Sequence, residues 1–489
     1  MFHSLAVLLL AAALVKSSDF RSEISGKGFD VIFPGAPLYQ NVSQAYNLRF
    51  EFKPAVVAYP SSPQQVSDIV NTGAKYQYRV VARSGGHSYI ANGLGGKDGV
   101  VVIDMSRFTH ISVDSATAVI ESGNRLGDIA LALSTKNRGM PHGVCPYVGI
   151  GGHSAFGGYG FMSRMWGLTL DNVLEINLVL ANGTITTASN SQNQDLFWAL
   201  RGAGSSFGIT TSIKVKTYPA PPSATVIQIS WDLNIDQASD GLNSWQKFVL
   251  SDIPSQFGGE IVLAKGSTKG NVSFALRAAY YGPLDQVNST IAPFLNTLPM
   301  STDIKFTTGS YIDIVTYLGG AGTLNTTLPD VHDTFYAKSI MTPRDSPMTV
   351  ASQKAFISYL ANEGFSSRTS WFVEVELYGG SNSAINAIPL DSAAWAHRSS
   401  IFTFQLYASS GNRLPPYPSE GFQFVEGMAD SIVNNNPKNW GYGAYPNYVD
   451  DKLEDWKQRY YNTHYARLHK LKKVYDPRGT FSFPTSIED

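Results

Sequence analysis

The chain has 489 residues, of which 43% are hydrophobic and 15% are charged. This balance is typical of a globular protein and excludes a disordered one. The formal net charge is −1, and the lysines and arginines form no basic stripe, which argues against a nucleic-acid partner. The length exceeds what one ordinary hydrophobic core fills, so we expect two or more domains.

The N-terminus, MFHSLAVLLLAAALVKSS, contains a run of eleven apolar residues from Leu5 to Val15. A run this short does not span a bilayer but suits a signal peptide, so we predict one over residues 1–18. No later segment approaches the ~20 apolar residues of a membrane helix. We therefore expect a secreted, extracellular glycoprotein without a membrane anchor. Its N-x-S/T sequons begin at Asn41, Asn182, Asn271, Asn288 and Asn325.

Short β-branched runs alternate with helical patterns from about Pro54 to Ala220, as in PAVVAYP followed by SPQQVSDIVNTGAKY. The proline-rich stretch Tyr218–Val226 breaks this pattern and predicts a domain boundary. The chain then alternates strands with long helical stretches, which predicts an antiparallel sheet backed by helices. The sequence therefore predicts an α+β protein with domains at 19–220 and 221–435 and a C-terminal segment at 436–489.

The only cysteine, Cys145, lies in GVCPYVGIGGHSAFGGYG, where seven of eighteen residues are glycine. No intrachain disulfide is possible, and the thiol on its own is as compatible with an inert buried residue as with a functional one. A second glycine turn, RSGGHSY, spans Arg83–Tyr89. Glycines let backbone N–H groups approach an anion closely, so both turns are candidates for a pyrophosphate-containing cofactor. The Rossmann pattern fails at Ser154, which favours a dinucleotide site of another kind.

The histidines near these turns allow two other interpretations. His87, His142 and His153 could ligate a metal together with Cys145, although their spacing matches no standard zinc pattern. A nucleophilic cysteine–histidine pair is also possible, but the sequence identifies no residue to orient the histidine. The residues alone leave these alternatives open.

Five motifs in order resemble the berberine-bridge-enzyme-like branch of the vanillyl-alcohol-oxidase flavoproteins, and within it the fungal gluco-, chito- and xylo-oligosaccharide oxidases. They are RSGGHSY, HGVCPYVGIGGH, FGGYGFMSRMWGLTLDNV, DLFWALRGAGSSFGI and a terminal YPNY followed by DP and FSFP. The resemblance implies a PCMH-type FAD-binding domain and FAD held by two covalent bonds. One bond would join His87 to the flavin 8α carbon, and the other would join Cys145 to C6.

The resemblance also assigns roles to single positions. His153 would lie near the flavin N1 side, and the small Val148 would admit O2. Asp195, Arg201 and Phe207 are expected to serve packing instead. The full set expected to bind the cofactor is His87, Cys145, Arg83, Ser84, Gly85, Gly86, Ser88, Val148, Gly149, Gly151, Gly152, His153, Gly158, Ile209 and Tyr445.

Catalysis is expected at Tyr448 in YPNYVD, which matches the tyrosine that takes the substrate hydroxyl proton while a hydride passes to the flavin. A free phenol has a pKa near 10, so this role requires a positive charge or hydrogen bonds that lower the pKa, and the sequence locates neither. Glu376 stands where sugar oxidases carry an assisting carboxylate, usually Asp, and Tyr89 matches another pocket tyrosine. Tyr445 is expected to be a stacking core aromatic more than a direct substrate contact.

Period-two alternation places Phe372, Glu374 and Glu376 on one face of a strand, with Gln405 on a neighbouring strand. The resemblance implies that this face binds the sugar through an aromatic platform and glutamines. Phe372 stands where Trp is expected, and Glu374 stands where Gln is expected. Arg277 could face the same groove, but a surface position on its strand is the preferred interpretation.

The predicted function is oxidation of the anomeric C1 hydroxyl of reducing oligosaccharides to lactones, with O2 reduced to H2O2. The alternative is a berberine-bridge-type oxidase or oxidative cyclase that acts on a secondary metabolite. A carbohydrate-binding glycoprotein without a working flavin is a third possibility. We expect a monomer that binds oligosaccharide and O2, with no metal.

Overall fold

The computed structural model describes residues 18–320 and 322–488. Its strands form sheets of four, five, two and seven strands, interspersed with helices, so the predicted α+β class is confirmed. The predicted signal peptide, apart from Ser18, lies outside the described residues. Within the described ranges, no helix has both the length and the apolar character required to cross a membrane.

The first sheet brings the chain to the first glycine turn. Its strands are β1 (Asp30–Ile32), β2 (Val56–Tyr59), β3 (Val80–Arg83) and β4 (Val101–Asp104). The order is β1-β2-β4-β3, with β2, β4 and β3 parallel and β1 antiparallel to β2. The parallel strands are short runs rich in Val, and β4 is buried throughout, as expected for strands covered on both faces. The RSGGHSY turn follows at the C-terminal end of β3.

The second sheet is antiparallel, in the order β5-β6-β10-β8-β9, and β7 pairs separately with β11. Helices Leu126–Ser134 and Gln194–Ala203 bury their apolar residues in the same core as this sheet. The strands are β5 (Ile111–Val113), β6 (Thr117–Glu121), β7 (Arg138–Gly139), β8 (Val173–Val179), β9 (Ile185–Ser189), β10 (Ile209–Lys216) and β11 (Tyr218–Pro219).

The largest sheet has seven antiparallel strands. They are β12 (Ala224–Asn234), β13 (Phe257–Lys265), β14 (Asn271–Tyr280), β15 (Asp303–Gly309), β16 (Phe335–Pro343), β17 (Ser370–Leu377) and β18 (Ser400–Ser409). Their order is β15-β12-β14-β13-β17-β18-β16. Trp245, Phe356 and Met428, each from a different long helix, share one core with the strands, so the predicted antiparallel sheet backed by helices is confirmed. The strand residues between these core positions point to the opposite face of the sheet, away from the helices.

Helix starts follow local sequence signals. Ser62 Oγ accepts a hydrogen bond from the Gln65 N–H at 3.3 Å, and Pro63 occupies the first helical position. Residues 18–25 are also helical. The remaining α-helices are Tyr39–Val42, Pro63–Lys75, Leu126–Ser134, Ile150–Ala155, Ser163–Trp166, Gln194–Ala203, Ile235–Leu250, Asp285–Leu295, Tyr311–Leu318, Val350–Tyr359, Ala384–Ala387, Ser419–Val433 and Tyr465–Tyr475.

The C-terminal segment returns to the first part of the chain. Tyr461, Leu468 and Ile487 lie in the same buried cluster as Leu196 and Phe197. Because β10 and β12 belong to different sheets, we propose that the domain limits follow the predicted ranges 19–220 and 221–435. The segment 436–489 would then complete the first domain.

Candidate active site

A cavity of about 540 Å³ lies between the two glycine turns, one face of the seven-stranded sheet and the C-terminal segment. Every site residue predicted from the sequence lines it, with the exception of Gly158. Gly158 donates its N–H to Tyr445 Oη at 2.9 Å, and a Cβ there would lie 2.3 Å from Thr169 Oγ1. This glycine therefore allows close packing behind the cavity wall.

The two glycine turns cross each other at Gly85 and Gly149. A Cβ on Gly85 would lie 2.4 Å from the Gly149 nitrogen, and a Cβ on Gly149 would lie 2.0 Å from the Gly85 nitrogen. Ser84 Oγ links the turns, since it donates to the Ser122 carbonyl at 2.5 Å and accepts from the Gly151 N–H at 3.2 Å. Only residues without a side chain permit this crossing, which leaves a cavity wall made of backbone.

The cavity wall fits the pyrophosphate of a dinucleotide. Within residues 18–320 and 322–488, the N–H groups of Gly85, Gly86 and His87 donate to no other backbone group. A Cβ added at Gly152 would meet open space. The Arg83 guanidinium is engaged elsewhere, with Asp104 at 2.6 Å. Consecutive N–H groups without a backbone partner form the kind of nest that binds phosphate, so backbone amides are the donors that this wall offers to an anion.

His87 and Cys145 line the same cavity, His87 on the first glycine turn and Cys145 on the second. The His87 ring stacks on Tyr46 with centroids 3.8 Å apart, and its Nε2 lies 2.6 Å from Asp330 Oδ2. Burial raises the pKa of the Cys145 thiol. Two nucleophilic side chains thus face one cavity from its two glycine-rich walls.

The metal-site interpretation of these histidines and Cys145 is wrong for the part of the chain that is described, because no group of potential ligand atoms at metal-binding spacing includes any of them. His142 Nδ1 lies 2.8 Å from the Gly143 carbonyl. His153 Nε2 accepts the Gly143 N–H at 3.1 Å, and burial lowers the pKa of His153 to about 3. His153 is therefore a neutral imidazole with its proton on Nδ1, so it brings no positive charge to the cavity that it lines.

The Tyr448 hydroxyl donates a hydrogen bond to Glu376 Oε1 at 2.7 Å. Burial, followed by the negative charge of Glu376, raises the pKa of Tyr448 well above its ordinary value. The contacts of Tyr448 with its neighbours in the protein therefore do not provide the lowered pKa that a free phenolate would require. Burial and the carboxylates of Glu374 and Glu260 also raise the pKa of Glu376. Glu376 Oε2 is buried and has no hydrogen-bond partner among the described residues.

Arg277 is half-buried against carboxylates of the neighbouring strands, where a surface position was expected. Its Nη1 lies 3.2 Å from Glu260 and 3.7 Å from Glu374, and its Nη2 donates to the Leu318 carbonyl at 2.6 Å. The strand register explains this position, because Arg277 on β14 pairs with Glu260 on β13, which pairs with Glu376 on β17. One guanidinium therefore faces three clustered carboxylates.

The other predicted substrate residues lie on adjacent strands. Phe372 on β17 pairs with Tyr407 on β18, and their rings stack with centroids 4.7 Å apart. Glu374 pairs with Gln405, whose side-chain amide donates to the Tyr89 hydroxyl. An aromatic wall and an amide therefore lie next to the carboxylates, on the strand face where the sequence predicts substrate contacts.

Tyr445 supports the site from behind. Its hydroxyl accepts N–H bonds from Gly158 and Tyr159 at 2.9 and 3.2 Å, and its ring packs edge-on against Tyr448 with centroids 5.0 Å apart. These contacts match the expected core aromatic. Phe207 is fully buried in the core, as expected of a packing residue.

Sequence reasoning missed Tyr46, Glu260 and Asp330. Glu260 could have been found from the strand pairing, because it lies on β13 opposite Glu376. Asp330 lies in a loop 243 residues from His87 along the chain, and no local pattern indicates their contact.

Comparisons with known proteins agree with this geometry. The FAD binding domain family matches residues 54–189, and the berberine and berberine-like family matches residues 444–488. A chitooligosaccharide oxidase from Gibberella zeae is 35% identical over 463 residues, which cover 93% of this chain and 91% of that protein.

Solved structures extend the likeness to the whole fold. A chitooligosaccharide oxidase has a TM-score of 0.90 at 32% identity, over 96% of this chain and 99% of that one. The glucooligosaccharide oxidase from Acremonium strictum, with its 6-S-cysteinyl, 8α-N1-histidyl FAD, has a TM-score of 0.89 at 30% identity, over 96% and 99%. The chain therefore belongs to the family of FAD-binding, berberine-like oxidoreductases that includes these oligosaccharide oxidases.

Proposed function

We propose that the protein oxidises the C1 hydroxyl of the reducing sugar of an oligosaccharide to a lactone, with O2 reduced to H2O2. The observation that carries this proposal is the Tyr448–Glu376 hydrogen bond of 2.7 Å in a cavity that His87 and Cys145 also line. A secondary-metabolite oxidase would use the same scaffold. The extensive similarity to chitooligosaccharide oxidase, over 93% of the chain, favours the sugar substrate.

The cofactor is proposed to be FAD, joined to the chain through His87 and Cys145. The backbone amides of Gly85, Gly86 and His87 would bind its pyrophosphate, and the neutral His153 would lie beside the ring. Bound FAD supplies acceptance of the C1 hydride and delivery of the electrons to O2. Val148 lines the cavity three residues after Cys145, and its small side chain would leave room for O2.

Proton removal is assigned to Tyr448 and Glu376 acting together. Tyr448 Oη takes the proton from the C1 hydroxyl while its own proton moves along the existing hydrogen bond to Glu376 Oε1. A carboxylate whose pKa is raised by burial is a better proton acceptor than a free one, so Glu376 substitutes for the missing positive charge. This pair works without a free phenolate in the resting site.

The sugar would be held by the face of β17 and β18. Phe372 and Tyr407 offer an aromatic wall to the apolar face of a pyranose ring. The Gln405 amide, which also donates to the Tyr89 hydroxyl, offers a further N–H to ring hydroxyls. The substitutions Phe372 for Trp and Glu374 for Gln would set the preference among sugars.

Export from the cell and action as a monomer complete the proposal. The predicted sequon residues Asn41, Asn182, Asn288 and Asn325 are exposed, and Asn271 is half-buried, which leaves these sites accessible to a glycosyltransferase. Mass spectrometry of the secreted protein would detect both the mature N-terminus and the glycans.

The proposed reaction is tested by an H2O2-release screen over mono- and oligosaccharides and phenolic metabolites. We expect turnover with reducing oligosaccharides, and a fall in kcat of about 10²–10⁴-fold in Tyr448→Phe. Phe keeps the ring packing and removes only the hydroxyl, so retained flavin content serves as the folding control. Turnover with metabolites alone, or near-normal kcat in Tyr448→Phe, would contradict the proposal.

A further inference from the structure

Among the described residues, Asp330 is the charged residue that contacts the His87 ring. Its Oδ2 lies 2.6 Å from His87 Nε2, while its Oδ1 accepts the Val331 N–H at 2.8 Å. Both carboxylate oxygens are thus engaged, and the carboxylate is fixed relative to its own loop. This loop connects helix Tyr311–Leu318 to β16 and carries no residue that the reaction proposed above uses.

Two contacts fix the orientation of the His87 ring. Tyr46 stacks against it with centroids 3.8 Å apart and planes inclined by 24°, and Asp330 holds Nε2. Burial acts to raise the pKa of Asp330, but its contacts with His87 and the Val331 N–H outweigh burial and lower the pKa, so the carboxylate is ionised at neutral pH. A carboxylate accepts hydrogen bonds, so the imidazole tautomer that fits this contact carries its proton on Nε2. The lone pair is then on Nδ1.

We propose that Asp330 is a positioning residue for covalent attachment of FAD, which presents His87 Nδ1 as the nucleophile toward the flavin 8α carbon. This inference rests on the proposed function only in taking FAD as the cofactor and O2 as the oxidant. It assigns to the loop a role in maturing the enzyme and none in sugar turnover.

The step balances in atoms and electrons. A bond forms between Nδ1 and the 8α carbon, one C–H bond of the 8α methyl group breaks, and the flavin gains two electrons. The imidazole becomes a cation in this step, and the Asp330 carboxylate beside Nε2 stabilises that charge. The Nε2 proton then leaves through the carboxylate, which is partly exposed to solvent. O2 reoxidises the flavin, and H2O2 takes up the two hydrogens lost from the methyl group and the imidazole.

The second attachment site gives an internal comparison. Asp330 is also one of the charges that raise the pKa of the Cys145 thiol, after burial as the main cause. Removing the Asp330 charge should therefore not make the Cys145 thiolate harder to form. Loss of Asp330 is expected to slow attachment at His87 selectively, whereas general damage to the cavity would reduce both links.

The experiment uses full-length protein produced under riboflavin limitation and then supplied with FAD in air. In a Cys145→Ala background, where His87 is the sole link, we compare Asp330→Asn, Asp330→Glu and Asp333→Asn. Attachment is followed as flavin that survives acid precipitation and as in-gel flavin fluorescence. Asp333 is the matched control, because it lies on the same loop but accepts from the Tyr407 hydroxyl at 2.9 Å instead of contacting His87.

We expect Asp330→Asn to slow acid-stable attachment about 10²-fold, with Asp330→Glu partly restoring it and Asp333→Asn close to the parent. In the single variant Asp330→Asn, peptide mapping should find flavin on Cys145 but not on His87, which also proves that the variant folds. Equal attachment rates in Asp330→Asn and its parent, or equal losses in Asp333→Asn, would overturn the inference. Turnover of sugars by wild-type enzyme is measured separately, so failure of the proposed function would not be mistaken for failure here.

Discussion

Tyr448 and Glu376 are joined by a hydrogen bond in the wall of the cavity. Both side chains have raised pKa values, with burial as the main cause for each, and their hydrogen bond keeps the proton between them. Proton uptake and release at this site therefore involve Tyr448 and Glu376 together, not either residue alone. The strongest influence on Glu376 after burial is the charge of Glu374, a residue that stands where the family resemblance leads us to expect Gln.

This coupling predicts a change in the pH dependence of turnover. Glu376 must be ionised to accept the proton, so kcat should rise with pH through the raised pKa of Glu376. Glu374→Gln removes a negative charge that raises this pKa. The rising limb of the plot of kcat against pH should therefore move to lower pH. The measurement is kcat against pH for wild type and the variant with one saturating oligosaccharide.

The exposed Glu454→Gln provides a control for the loss of one negative charge at a distance. Its rising limb should coincide with that of the wild type. A limb that stays in place in Glu374→Gln, or that moves to higher pH, would show that Glu376 is not the group whose ionisation limits the rate.

At the scale of single elements, the period-two pattern of β17 was sufficient to predict which side chains face the cavity. Phe372, Glu374 and Glu376 do share one face, because alternation is intrinsic to a strand. The position of Arg277 could not be predicted in this way. A strand arginine looks like a surface residue until β14 is paired with β13, which places it beside Glu260.

The crossing of the glycine turns predicts the effect of a single methyl group. Gly85→Ala would place a Cβ 2.4 Å from the Gly149 nitrogen, so the turns must separate. Overpacking of this kind costs about 1–3 kcal/mol. We expect a lower ratio of flavin to protein absorbance in the purified variant, because the displaced amides belong to the proposed pyrophosphate site.

Gly441→Ala is the matched control, since a Cβ at Gly441 meets open space and its φ is compatible with any residue. It should bind flavin as the wild type does. Full flavin content in Gly85→Ala would mean that the crossing tolerates expansion and that the pyrophosphate is bound elsewhere.

At the scale of the whole molecule, the cavity exists only where three parts of the chain meet. The glycine turns come from the N-terminal sheets, the carboxylates come from the seven-stranded sheet, and Tyr448 comes from the C-terminal segment. Motifs predicted the members from the first and last parts, because local glycine and tyrosine patterns identify them. The contact of His87 with Asp330 was not predictable, since it depends on how a distant loop packs.

A buried ion pair ties the C-terminal segment to the large sheet near the catalytic tyrosine. Lys338 on β16 donates to Asp450 at 2.7 Å, two residues after Tyr448, and also contacts Glu426 at 3.1 Å. The Asp450 side chain is only 2% exposed, so removal of the lysine would leave a buried carboxylate without its cation. Breaking such a pair from one side costs about 3–5 kcal/mol.

Lys338→Met should therefore lower the melting temperature and also reduce kcat, because the segment that positions Tyr448 loses its anchor. Lys354→Met is the control: it removes a lysine whose partner, Asp236, is 78% exposed, and it should change neither quantity appreciably. Thermal denaturation and steady-state kinetics measure the two effects. If Lys338→Met lowered stability but left kcat intact, the segment would be held near Glu376 by its apolar contacts alone. If it left both unchanged, Asp450 would have to be neutral in the folded protein, because only an uncharged carboxyl tolerates burial without a cation.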